Sequence, residues 1–134
     1  MDLKKILDEG LSTGLKQFQQ LQDSYNERFV SEDFEGFDLT RHTYAHMGKL
    51  FGRLASYIQE TEDGQNPSSK DVEEKVIPDL LVYASWLASN FGVDLEEAYL
   101  KRTVDNIGRV HSDKILSEEL EHLKNSVQER YSKK

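Results

Sequence analysis

Residues 77–91, IPDLLVYASWLASNF, decide the fold. The run is apolar nearly all round, so it reads as a helix surrounded by other helices. Asp79 is its one carboxylate, and a charge there is expensive to bury unless it is paired. It therefore either reaches water beside Pro78 or faces a polar pocket. Pro78 has no backbone donor, so the helix, expected over 70–91 behind Ser69, bends or restarts there. Gly92 suits a left-handed cap at its end.

Both neighbours of this stretch are helical by pattern. Downstream, DLEE places Glu97 three residues after Asp94, the capping-box spacing, and opens a helix to about 110. A charged helix follows over about 117–131. Upstream, EDGQNPSS (62–69) is a turn by composition, preceded by a helix over about 40–61. FVSEDFEGFDL (29–39) reads as a loop with aromatic plugs. The first helix, 2–28, carries Leu3, Ile6, Leu7, Leu11, Leu15, Phe18 and Leu21 on one stripe, weakened at Gly10 and Gly14 by about 1 kcal/mol each. With 2 prolines in the chain and few alternating apolar/polar runs, the expectation is an all-α bundle of about five helices, one domain over 1–134.

The net charge of −8 argues against a nucleic-acid or membrane-surface binder, either of which needs a basic field. There are no cysteines, which excludes disulfides, zinc–thiolate sites and cysteine nucleophiles. No apolar run reaches transmembrane length, and MDLKKILDEG lacks the apolar stretch of a signal peptide. A cytoplasmic protein is expected.

Against this acidic background, helix 40–61 has an unusual wheel. Met47, Leu50, Phe51, Leu54 and Ile58 form one apolar arc. Ala45, Gly48, Gly52 and Ser56 form a second arc of small residues that lets another helix approach closely. Between them His42, His46, Lys49 and Arg53 line up without a carboxylate. Such a strip is either a solvated face or one wall of an anion site. A histidine pair four apart also suits a metal, but no third ligand is in view. Helix 94–110 repeats the theme with Arg102, Asn106 and Arg109 on one face. Two lines of cations beside the lone Asp79 describe a pocket for phosphate. The alternative is that Arg102 and Arg109 pair with Asp105, Asp113 and the acidic last helix.

VIPDLLVYASWLASNFGVDLEEAYLKRTVDNIGR, together with LFGRLASYI, resembles the MazG-like all-α nucleoside-triphosphate pyrophosphohydrolases over about residues 42–110. In that family a helix with E-x-x-E precedes one with E-x-x-D, and the next ends in K-x-x-x-N-x-x-R. The acids bind magnesium, which activates water to cleave the α–β bond of a nucleotide. The match is specific in D-L-L-V-Y, in F-G-V-D-L-E-E-A and in R-x-x-x-N-x-x-R. The resemblance implies a helical bundle that pairs protomers, as a homodimer or homotetramer.

The departures lie in the metal motif. E-x-x-E falls on Leu50 and Arg53, with Lys49 at a neighbouring acidic position. The second motif keeps Asp79 but has Val76 for its glutamate. One carboxylate of four cannot build the usual magnesium cage, which needs about six oxygen ligands. Arg102 matches the family lysine, and Asn106 and Arg109 match directly. The expectation is a divergent member that binds a nucleotide or other phosphorylated ligand, with catalysis weakened or lost. Its phosphate partners are Lys49, Arg53, Arg102, Asn106, Arg109 and His46; Trp86 or Tyr83 stack on the base, and Asp79 alone remains for a cation. Two alternatives stand: a homo-oligomeric interaction or regulatory module without a nucleotide site, and an active pyrophosphohydrolase using acids such as Glu60, Glu62, Asp71, Glu73 and Glu74.

Overall fold

The computed structural model describes residues 14–30 and 35–132, and the described chain is helical without a strand. The helices are α1 (Leu15–Phe29), α2 (Gly36–Glu62), α3 (Ile77–Asn90), α4 (Leu95–Val110) and α5 (Ser117–Tyr131). A π-turn, Val72–Val76, leads into α3, and a 3₁₀ turn, Ser112–Lys114, separates α4 from α5. The all-α bundle of about five helices is thus the fold. Contacts divide the chain into two compact units, Phe18–Gly92 and Val93–Lys134 with Met1–Gln17.

In the first unit α2 and α3 pack along each other, burying Leu50, Val76 and Ala88 together with Thr43 and Ser85. Pro78 shapes the entry to α3. It cannot donate to the carbonyl four residues back, and the helix accommodates it by widening its register. The Ile77 N–H reaches the Val72 carbonyl, five residues earlier, and the α-helical pattern then resumes. The restart expected at Pro78 takes this form. At the far end Gly92 adopts φ +66°, and its N–H closes on the Ser89 carbonyl at 3.1 Å.

Four details differ from expectation. α2 begins at Gly36, several residues early, because the Asn90 side-chain amide donates to the Gly36 carbonyl and to the Thr40 hydroxyl, both at 3.0 Å. Phe37 therefore rides on a helix and faces outward instead of plugging a loop. Second, the inner face of α1 is polar. Gln22 is buried while Leu21 is exposed, and Gln19 and Asp23 both hydrogen-bond the Ser89 hydroxyl. Residues 2–13 of the expected first helix lie outside the described residues. Third, α3 is not enclosed on every side, since Ile77 and Leu81 stay exposed. Finally, the apolar arc of α2 is split: Leu50 is buried, but Phe51 and Ile58 are exposed.

The second unit is a helical hairpin. Leu100 and Val104 of α4 meet Leu123 and Val127 of α5 in one apolar cluster. Asp94 caps α4 by accepting the Glu97 backbone N–H at 3.0 Å, as the DLEE spacing requires. Gly108 leaves room for the Leu120 side chain, which a Cβ there would approach at 3.3 Å. Glu96 is buried and accepts the Tyr131 hydroxyl at 3.1 Å, tying the start of α4 to the end of α5.

Candidate functional site

The cationic strip of α2 forms one wall of a cavity of about 590 Å³ between α2 and α3. His46, Lys49 and Arg53 line it from α2, beside Leu50, Gly52 and Ser56; Asp79 and Tyr83 face it from α3. The helical spacing explains this: side chains at four, three and four residues stack along one line, and α3 runs beside that line. Asp79 is half-buried and lines this cavity.

A second cavity, about 380 Å³, shares Asp79 and Tyr83 with the first. Trp86 and Val82 line it from α3, Gln22 and Tyr25 from α1, and Val30 from just beyond the end of α1. Gln22 carries no apolar signal, so the sequence does not mark it, although both it and Tyr25 continue the expected stripe at helical spacing. Gln22 holds its place through a bond from its amide to Asn26 Oδ1 at 3.2 Å.

Four aromatic rings knit the two helices together beside the cavities. His46 stacks on Tyr83 at 5.6 Å between centroids, His42 lies parallel to Trp86 at 6.3 Å, and Tyr83 meets Trp86 edge-on at 5.5 Å. His42 and His46 are themselves 4.3 Å apart. Much of the ring surface of Tyr83 and Trp86 is thus already engaged within the fold, which limits how a planar group stacks on either.

The electrostatics are those of a positive wall facing one acid. Burial, with help from His42 and Lys49, lowers the His46 pKa below the usual imidazole value, and Asp79 opposes that shift. Burial and then the Asp79 charge raise the Tyr83 pKa, so its hydroxyl remains a neutral donor at physiological pH. Lys49 makes no ion pair among the described residues. Arg53 does: its Nε lies 3.8 Å from the Asp71 carboxylate, which Lys75 approaches at the same distance. Both Arg53 and Asp71 are about half exposed. Asp71, one of the acids the sequence offered for an active pyrophosphohydrolase, thus neutralises part of the ridge.

Arg102, Asn106 and Arg109 lie on α4, in the other compact unit, and form a group of their own. Arg102 Nη1 binds Asp105 at 3.2 Å, and Arg109 Nη2 donates to Asn106 Oδ1 at 3.2 Å. Pairing of Arg102 with Asp105 is the alternative that the sequence left open.

The donor set does not suit magnesium. Among the described residues no group of three or more His, Asp or Glu side chains is placed to hold a metal ion. Asp79 shares the cavity with Lys49 and Arg53, whose positive charges repel a divalent cation, and with His46, which its lowered pKa keeps neutral at physiological pH. The other acids near α3 pair locally: Glu73 accepts the Ser69 hydroxyl at 2.8 Å, and Glu74 lies 4.0 Å from Lys70. The wall presents a compact ammonium, a forked guanidinium and an imidazole that gains charge on acidification.

The chain matches no family model, no curated protein and no solved structure. Among the described residues, no single helix is long and apolar enough to cross a membrane.

Proposed function

We propose that this protein binds a phosphorylated small molecule, a nucleotide by its resemblance to the MazG-like pyrophosphohydrolases, and that it does so without metal-dependent hydrolysis. The observation that carries this reading is the 590 Å³ cavity with His46, Lys49 and Arg53 on one wall and a lone Asp79 opposite. In this reading fixed side-chain cations take the place of the metal ions as phosphate partners. Lys49 and Arg53 take the phosphate oxygens. Asp79 accepts from a hydroxyl or amino group of the ligand and keeps the positive wall from filling with solvent anions. The adjoining 380 Å³ cavity accommodates the less polar part of the ligand near Trp86. Arg102, Asn106 and Arg109 enter the proposal only through the motif they match.

The reading is tested by melting the protein with a panel of nucleoside mono-, di- and triphosphates, in magnesium and in a chelator. A ligand that binds only the folded state raises its stability by RT ln(1 + [L]/Kd), about 2.7 kcal/mol at a hundredfold excess over Kd. The expected result is stabilisation by at least one nucleotide that is equal with and without magnesium. Magnesium-dependent release of pyrophosphate, abolished by Asp79→Ala, would overturn the non-hydrolytic reading and restore an enzyme.

A further inference from the structure

The outward face of α2 carries a stripe that the phosphate site does not use. Starting at Phe37, positions 37, 41, 44, 48, 51, 55, 58 and 62 follow the 4-3 spacing of a coiled-coil seam. Its large residues repeat every seventh position: Phe37, Tyr44, Phe51 and Ile58 are 71%, 79%, 54% and 47% exposed. The positions between Tyr44 and Ile58 are small, Gly48 and Ala55, and both are exposed. A Cβ built on Gly48 or on neighbouring Gly52 meets nothing within 4 Å. The stripe has two charged positions, Arg41 near one end and Glu62 at the other. Monomeric proteins rarely leave a contiguous apolar face of this length in water.

We propose that a second copy of this chain docks on this stripe with its α2 antiparallel. The sequence of sizes and charges selects that arrangement. In an antiparallel seam the two seam positions alternate across each layer, so a register that sets Phe51 against the second copy's Gly48 also sets Tyr44 against Ala55. Every large residue in the middle then meets a small one, and the close approach of two backbones is possible because of Gly48. Toward each end Phe37 and Arg41 come beside the second copy's Glu62 and Ile58, so the two charges meet with opposite sign, once at each end. A parallel pair would do the reverse. It would set Phe51 on Phe51, leave a hole at Gly48, and bring Arg41 beside Arg41 and Glu62 beside Glu62. Like charges in register disfavour a pairing, and this is how natural coiled coils exclude the wrong orientation.

The area is of the right order. Three aromatic side chains of about 150–250 Å² each, partly exposed, plus Ile58 and the small residues between them, supply several hundred Å² per copy. A standard interface needs about 800 Å² per partner. The cationic wall lies on another face of α2, so this docking leaves Lys49 and Arg53 available.

The test is the solution mass of the full chain by sedimentation, for wild type and three charge variants. Wild type is expected above monomer mass at micromolar concentration. Arg41→Glu and Glu62→Arg each turn two attractive contacts repulsive and should weaken association by about tenfold. The double variant Arg41→Glu/Glu62→Arg restores opposite signs and should recover association to near wild type. Gly48→Leu fills the hole that Phe51 needs and should give a folded monomer, checked by its helical circular dichroism. A monomeric wild type at a tenth of a millimolar would overturn the proposal. So would single reversals without effect, a double variant no better than the singles, or an undiminished mass for Gly48→Leu.

Discussion

The two compact units of this protein use their apolar residues in opposite ways. The Val93–Lys134 unit gathers Leu100, Val104, Leu123 and Val127 into one buried cluster, closed by a hydrogen bond between Tyr131 and Glu96. The Phe18–Gly92 unit buries mostly small or polar groups, among them Thr43, Ser85, Ala88 and Gln22, and exposes Tyr44, Phe51, Ile58, Ile77 and Leu81. One unit is held by a single apolar cluster, and the other buries Leu50, Val76 and Ala88 among polar groups and rings beside cavities. The hydroxyls of Thr43 and Ser85 are among the groups this unit buries.

This contrast breaks most easily by truncation. Leu123→Ala removes a side chain with no exposed surface and should cost about 2–5 kcal/mol, since the cavity cannot collapse. Phe51→Ala, measured at concentrations where the chain is a monomer, should cost under about 1 kcal/mol, because an exposed ring gives up little burial. Urea melts of both variants compare them directly. Equal costs would mean that Phe51 is packed within its own chain, and the division into two kinds of unit would fall.

A smaller effect sharpens the account of the second unit. Burial, then the charge of Glu96 and the hydrogen bond to it, push the Tyr131 pKa up to about 12 from an ordinary value of 10.0. A folded-state pKa raised above the unfolded value gives stability that is complete below pH 10 and is lost as pH rises toward 12. Tyr131→Phe should remove that alkaline decline. It should also cost about 1–3 kcal/mol at neutral pH, because the buried Glu96 carboxylate loses a donor. Thermal melts between pH 7 and pH 11 read both, and an unchanged alkaline slope in the variant would assign the decline to other groups.

Much of the fold was legible because it rests on local signals. Gly92 ends α3 in the left-handed region, Asp94 caps α4, Pro78 resets the helix before α3, and α5 runs from Ser117 to Tyr131, as the charge pattern implied. What was illegible depends on distant partners. The early start of α2 needs the Asn90 amide, more than fifty residues away in sequence. The burial of Gln22 in place of Leu21 follows from a polar inner face of α1, whose Gln19 and Asp23 answer the Ser89 hydroxyl on α3. At the candidate site, the cationic wall of His46, Lys49 and Arg53 was readable from helical spacing, and so was Asp79 as its counterpart. The pairing of Arg53 with Asp71 was not. It joins residues eighteen positions apart across the turn after α2, which helical spacing within one element does not reveal.

The central claim is that fixed cations on α2, not a metal, hold the ligand phosphate. Thermal melts of wild type and Arg53→Leu with pyrophosphate in a chelating buffer test it most directly. Without ligand the two should melt alike, within about 1 kcal/mol, since the Arg53–Asp71 pair is half exposed and such pairs contribute little. Pyrophosphate should stabilise wild type in a saturable way and leave Arg53→Leu unmoved. Stabilisation that appears only when magnesium is added, or that survives in Arg53→Leu, would contradict the account.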